Sequence, residues 1–162
     1  MNYYQLFELP ESPVVNKGII QTKYFEIQKK THPDFYINAT EFEQEEAMRL
    51  SSEANKAFDI FMDELKTIGY FLRQKGYLED DEKYQLPSDF LMEMMEINER
   101  IDDGENENVR QEINLIETQL KQGVLYILEK DLILLEETDY QQIKAYYFQK
   151  KYLERILVRL VD

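Results

Sequence analysis

An all-α protein in two helical parts is predicted by three features of the 162-residue sequence. Apolar residues recur at three- and four-residue intervals in one segment after another, the spacing that gathers side chains on one face of an α-helix. No stretch of useful length alternates apolar and polar residues as a half-buried strand does. A short polar stretch at 77–86, with Glu79-Asp80-Asp81-Glu82 inside it, separates two groups of such helices.

Taken in order, Tyr3 opens a short apolar-rich segment closed by Pro10, read as a first short helix over 3–9. Pro13 keeps the connection open as far as Asn16, a favourable N-cap residue. From there Ile20, Tyr24, Ile27 and Thr31 form one stripe, with Lys23, Lys29 and Lys30 beside or opposite it, so a basic helix stands in an acidic chain. Pro33 disfavours the α conformation at the preceding residue and has no N–H, so this helix is expected to stop at or before His32. His32, Pro33 and Asp34 then fall in a loop. Thr40 and Glu43 have capping-box spacing, and behind them Ala47, Leu50, Ala54, Phe58, Phe61 and Leu65 carry an apolar stripe for about six turns. That predicts one long helix over 41–65, antiparallel to the second. A fourth over 68–75 is closed by Gly76.

Residues 77–86 are read as a linker between domains at 1–76 and 87–162. Beyond it, helices are expected over 88–102, closed by Gly104, over 107–136 and over 139–161, the last started by a Thr138/Gln141 capping box. Three amphipathic helices with short connections predict an antiparallel three-helix bundle. The first of them has one apolar face too many. Phe90, Met94, Ile97 and Ile101 project to one side, while Leu91, Met92 and Met95 project to roughly the opposite side with Glu96, Glu99 and Asp103. A bundle buries one face per helix, so the second face has the character of a protein-binding patch, for which the flexible thioether of methionine is suited. On the last helix Ile143, Tyr146, Lys150, Leu153, Leu157 and Leu160 follow the core spacing, with the Lys150 stem expected to snorkel outward. Phe148 and Tyr152 lie one turn apart on the other side, where they could extend the Met92/Met95 face.

Composition removes several function classes. The net charge of −14 argues against nucleic acid and anionic membranes as partners, since both require clustered cations. Without cysteine and with a single histidine, the chain offers no thiol nucleophile, no thiolate metal site and no pair of Glu-x-x-His motifs for a di-iron centre. No cofactor is expected. No signal segment opens the chain and no apolar run reaches the roughly 18 residues of a membrane span, which favours a cytoplasmic protein. A hydrolase built on His32 and Asp34 lacks a nucleophile and a cleft.

The short first helix, the basic second helix, His32-Pro33-Asp34 in the loop and the run Asn55-Lys56-Ala57-Phe58 together resemble a J-domain. The second half is similar to the HscB family, J-domain co-chaperones of iron–sulfur cluster assembly, through Phe90-Leu91-Met92-Glu93, then Met95-Glu96 and Glu99, supported by Tyr152-Leu153-Glu154-Arg155. The resemblance covers essentially the whole chain. It implies a non-enzymatic adaptor that docks on a DnaK/HscA-type ATPase chaperone, stimulates its ATP hydrolysis and delivers an IscU-type scaffold protein. Carried over, the chaperone-contacting residues are Lys23, Lys29, Lys30, His32, Pro33 and Asp34. Those for the scaffold are Leu91, Met92, Met95, Glu96, Glu99, Asp103 and Tyr152. Phe35 stands where many J-proteins have a lysine. No cysteine-rich zinc segment precedes Tyr3, as in bacterial forms. A rival reading keeps the J-domain and gives the bundle a different protein client.

Overall fold

Side chains of Asn2, Asn16 and Thr40 cap the first helices among the elements of the computed structural model, which describes residues 1–160. In chain order these are α1 (Tyr3–Leu6), α2 (Lys17–Lys30), a 3-10 turn (Pro33–Tyr36), α3 (Glu41–Phe61), α4 (Glu64–Gln74), α5 (Ser88–Asp102), α6 (Asn106–Leu128), a second 3-10 turn (Leu132–Leu134) and α7 (Glu137–Arg159). There is no strand among the described residues. The expected end of the last helix at Val161 lies outside them. By packing, the chain divides into two units, Met1–Phe71 and from Leu72 onward.

In the first unit, α1 is shorter than its apolar run. Glu8 adopts a left-handed φ of 55°, and the N–H groups of Glu8 and Leu9 return to the carbonyls of Gln5 and Tyr4 at 3.1 and 2.8 Å. That is a Schellman stop without glycine. The expected helix over 41–65 ends at Phe61, and the fourth starts at Glu64 rather than 68. Its stripe runs on through Phe61, Leu65 and Ile68, all buried, but Asp63 accepts the Lys66 N–H at 2.8 Å and caps a new start. Replacing Asp63 by alanine is expected to cost about 1 kcal/mol, which thermal melting would register as a fall of roughly 2–4 °C.

Around that junction Phe61 meets the rings of Tyr4, Phe7 and Tyr70 at 5.2, 5.7 and 5.9 Å, which seats α1 on α3 and α4. The α2–α3 pair is held as much by polar groups as by apolar ones. Tyr24 stacks on Phe58 at 4.3 Å and donates to Asn55 Oδ1 at 2.7 Å. Gln28 donates to the same oxygen and to the Ser51 carbonyl and accepts from the Ser51 hydroxyl. Of the four residues in the predicted α2 stripe, Ile20 and Thr31 are buried, while Tyr24 and Ile27 are half-buried.

In the second unit α5, α6 and α7 form the antiparallel three-helix bundle. Phe90, Met94 and Ile97 of α5, Val109, Ile113 and Ile116 of α6, and Leu153, Ile156 and Leu160 of α7 make its core. Ile156, which the predicted stripe passed over, is buried, while Leu157 and Ile101 lie at the margin. Lys150 does not snorkel outward: it is buried, with its ammonium 5.9 Å from the Tyr146 ring centroid. Arg100 pairs with Glu112 and Glu105, and Arg110 donates to the Leu160 carbonyl at 2.7 Å.

Two boundaries in this unit differ from expectation. α6 ends at Leu128, eight residues before the expected end at 136. Asp131 is extended at φ −60°, ψ 140°, so the following leucine-rich run forms an exposed turn, with Ile133 92% accessible. The cap of α7 also sits upstream of Thr138/Gln141. Asp139 accepts the Glu136 N–H at 3.0 Å and the Lys130 ammonium at 2.8 Å, which fixes the turn between the helices. Lys130 first, then the Glu136 N–H, holds the Asp139 carboxyl below the usual range.

Residues 77–86, expected as a linker, are laid along α7. Tyr77 stacks on Tyr140 at 4.3 Å and its hydroxyl meets Glu137. Glu82 pairs with Lys144 at 2.7 Å, and Tyr84 stacks on Phe148 at 4.4 Å. Tyr140, Lys144 and Phe148 are one turn apart, so this strap meets α7 at three successive turns. The hydrogen bond from Lys144, assisted by the Glu79 N–H and opposed by desolvation, holds the Glu82 carboxyl below the usual glutamate range. A carboxyl depressed in the folded state adds stability above its unfolded pKa that is lost as pH falls through the folded one. Urea midpoints are therefore expected to decline below about pH 4, and to decline less steeply for Glu82→Gln; identical profiles would exclude this contribution.

Candidate functional site

Two surfaces, one in each unit, carry the residues singled out above. The first is the tip of the α2–α3 pair. α2 ends at Lys30 with Thr31 as C-cap, and Pro33 opens the 3-10 turn, where its missing N–H costs nothing. His32 is the N-cap residue of this turn, its Nδ1 accepting the Asp34 N–H at 3.2 Å, which leaves Nε2 as the ring nitrogen for a partner. His32, Pro33 and Asp34 are all exposed. His32 Nδ1 and Asp34 Oδ2 are 3.7 Å apart, too far for the carboxylate to orient the imidazole as a general base.

Residues outside the predicted set hold this loop in shape. The Tyr36 hydroxyl donates to the Lys30 carbonyl at 3.1 Å, tying the turn to the end of α2. Gln44, reaching back from α3, donates to the Tyr36 carbonyl at 2.8 Å. Of the three lysines, Lys29 and Lys30 are exposed. Lys23 is drawn toward Glu8 at 3.6 Å and Glu26 at 3.9 Å, so part of its charge is answered within the chain.

The second surface is the outer face of α5. Met92 and Met95 are 65% and 64% accessible, whereas Met94 between them is fully buried. Glu96, Glu99 and Asp103 are exposed and follow Met92 at intervals of four, three and four, one line on the helix. Asp103 is the C-cap residue, just before Gly104, whose φ of 87° ends the helix. Leu91 is only half-exposed. Tyr152 packs against the bundle core, its ring edge-on to Phe90 at 5.9 Å, and Phe148 is covered by Tyr84. The two aromatics therefore do not form an open pair, and the exposed apolar part of this face is Met92 and Met95 with a margin of Leu91.

Residues 86–161 match the family model described as the HSCB C-terminal oligomerisation domain. Over 158 residues the chain is 28% identical to the co-chaperone protein HscB of Buchnera aphidicola subsp. Acyrthosiphon pisum (strain 5A), covering 96% of this chain and 91% of that protein. Together these matches support an HscB family co-chaperone. It is also 25% identical to the human iron-sulfur cluster co-chaperone protein HscB over 156 residues, covering 96% of this chain and 65% of that one. The fold is shared with two solved structures. The crystal structure of human HscB matches with a TM-score of 0.82 at 22% identity, over 99% of this chain and 80% of that chain. HscB from Vibrio cholerae matches with a TM-score of 0.68, also at 22% identity, over 99% of each chain. In HscB terms, α1 to α4 make the J-domain and α5 to α7 the C-terminal bundle. Similarity to these proteins supports a co-chaperone identity for the chain, and the human relative's name ties that protein to iron–sulfur clusters. No helix among the described residues is long and apolar enough to cross a membrane.

Proposed function

We propose that this co-chaperone uses the loop surface to dock on a DnaK/HscA-type ATPase chaperone and speed its ATP hydrolysis, and the α5 surface to bring it an IscU-type scaffold protein. The chaperone arm is assigned to 1–76, the client arm to 87–162, and the setting to the cytoplasm. The observation that carries the reading is the loop itself: His32, Pro33 and Asp34 stand exposed on a turn braced from both α2 and α3. A braced, exposed turn is suited to act by contact, because it loses little freedom on docking.

The role is non-catalytic. Asp34 and His32 change the chaperone's rate only by contacts that differ between its two conformational states, and hydrolysis remains the chaperone's chemistry. Lys29 and Lys30 orient the encounter with an acidic surface. On α5, two thioethers give an adaptable apolar contact, and the acids beside them favour a client with cations around an apolar patch. Steady-state ATPase assays of the host's DnaK-type chaperones with this chain, with and without the scaffold, test the whole reading. Stimulation by the chain, raised further by the scaffold, is the expected result; a rate unchanged by the chain would refute the chaperone arm, and a scaffold without effect would refute the client arm.

A further inference from the structure

We propose that Ile37 and Met48, with Phe35 in the adjoining groove, form an apolar contact for the same chaperone, and that this contact supplies more of the docking affinity than the lysines do. This rests on the chaperone reading above. Phe35, Ile37, Phe42 and Met48 are 69–72% accessible, an unusual density of exposed large apolar side chains on one loop and the helix that follows. Three of them, Phe35, Ile37 and Met48, line two adjoining hollows. An open cleft between the loop and α3 is lined by Thr31, Pro33, Tyr36, Ile37, Gln44, Ala47 and Met48, and Tyr36 also lines the adjoining groove with Glu26, Lys29, Lys30 and Phe35. Pro33 therefore belongs at once to the docking loop and to this cleft.

Charge points to the same partner. The chain carries −14 overall, and Glu26, Asp34, Glu41, Glu43, Glu45 and Glu46 stand in sequence close to the cations at this tip. Position 35, directly after Asp34, adds a ring rather than a cation. Exposed ion pairs made by two lysines in such surroundings are screened and weak, while an apolar contact is indifferent to salt. The same net charge disfavours a second copy of the chain as the occupant. The surface required on the chaperone is an apolar ridge that enters the Ile37/Met48 cleft, with acids placed against Lys29 and Lys30.

The test is an ATPase titration of the host's DnaK-type chaperone with the full chain, at about 0.05 M and about 0.3 M salt. Ile37→Gln/Met48→Gln is expected to raise the half-stimulating concentration about tenfold while maximal stimulation and the circular-dichroism melt stay unchanged. The wild-type value is expected to move less than about threefold with salt. A double variant that titrates like the wild type overturns the contact, and a wild-type value rising tenfold or more with salt overturns its dominance over charge. Met48→Gln alone, expected to give about a threefold rise, carries the test should the double variant melt early; no rise overturns the contact. A wild-type chain without any stimulation overturns the chaperone reading itself, which separates the two failures.

Discussion

His32→Gln is expected to remove stimulation of the partner chaperone's ATPase while leaving the fold intact. The imidazole is exposed and its hydrogen bond within the chain is the one accepted by Nδ1 from the Asp34 N–H, which a glutamine oxygen can replace. Surface substitutions of this kind change stability by about 0.5 kcal/mol or less. Stimulation, by contrast, is a coupling between docking and hydrolysis, and couplings of about 1–3 kcal/mol correspond to roughly 5- to 150-fold in rate or affinity. A substitution that deletes the group making the state-dependent contact should return the chaperone to near its basal rate. Single-turnover hydrolysis with saturating variant reads this directly. Full stimulation by a normally folded His32→Gln chain would remove His32 from the docking set and leave Pro33 and Asp34 to account for it.

Met92→Ala with Met95→Ala is expected to weaken scaffold binding by about 1–3 kcal/mol, the range for anchors at the centre of an interface. Calorimetric titration with the scaffold should then show the dissociation constant rising roughly 5- to 150-fold. Both side chains are about two-thirds accessible, so their truncation removes little packing from the bundle. Met94, between them in sequence, is fully buried and unsuited to this test, because its loss would disturb the core. Leu91 is intermediate, and its substitution would mix the two effects. An unchanged dissociation constant for the double variant would move the client's contact elsewhere on the chain.

Both surfaces were legible in the sequence for local reasons. A proline after His32 dictates where α2 can run, and about 100° per residue suffices to set Met92 and Met95 opposite Met94. What escaped was whatever depends on groups distant along the chain or on caps hidden by periodicity. The break between α3 and α4 was placed about one turn too late, because the stripe never loses its spacing: Phe61, Leu65 and Ile68 are buried on both sides of Asp63. The 131–135 run is apolar enough to pass for core, yet the Lys130–Asp139 pair at 2.8 Å turns the chain before it. Tyr152 was placed on the correct helix, but its contact with Phe90 at 5.9 Å is a matter of tertiary packing. Gln44, whose reach to the Tyr36 carbonyl steadies the loop, carries no signature that distinguishes it from any exposed polar residue.

The strap over α7 has a consequence for biosynthesis. Tyr77, Glu82 and Tyr84 find their partners at 140, 144 and 148, about sixty residues later in the chain. On the ribosome the N-terminal hairpin can close as soon as Tyr70 emerges to meet Tyr3 and Tyr4. The acidic segment after it must wait, solvated and protease-accessible, until α7 has been made. Chains truncated before α7 should therefore be clipped near Lys83, whereas chains that include α7 withstand the same trypsin.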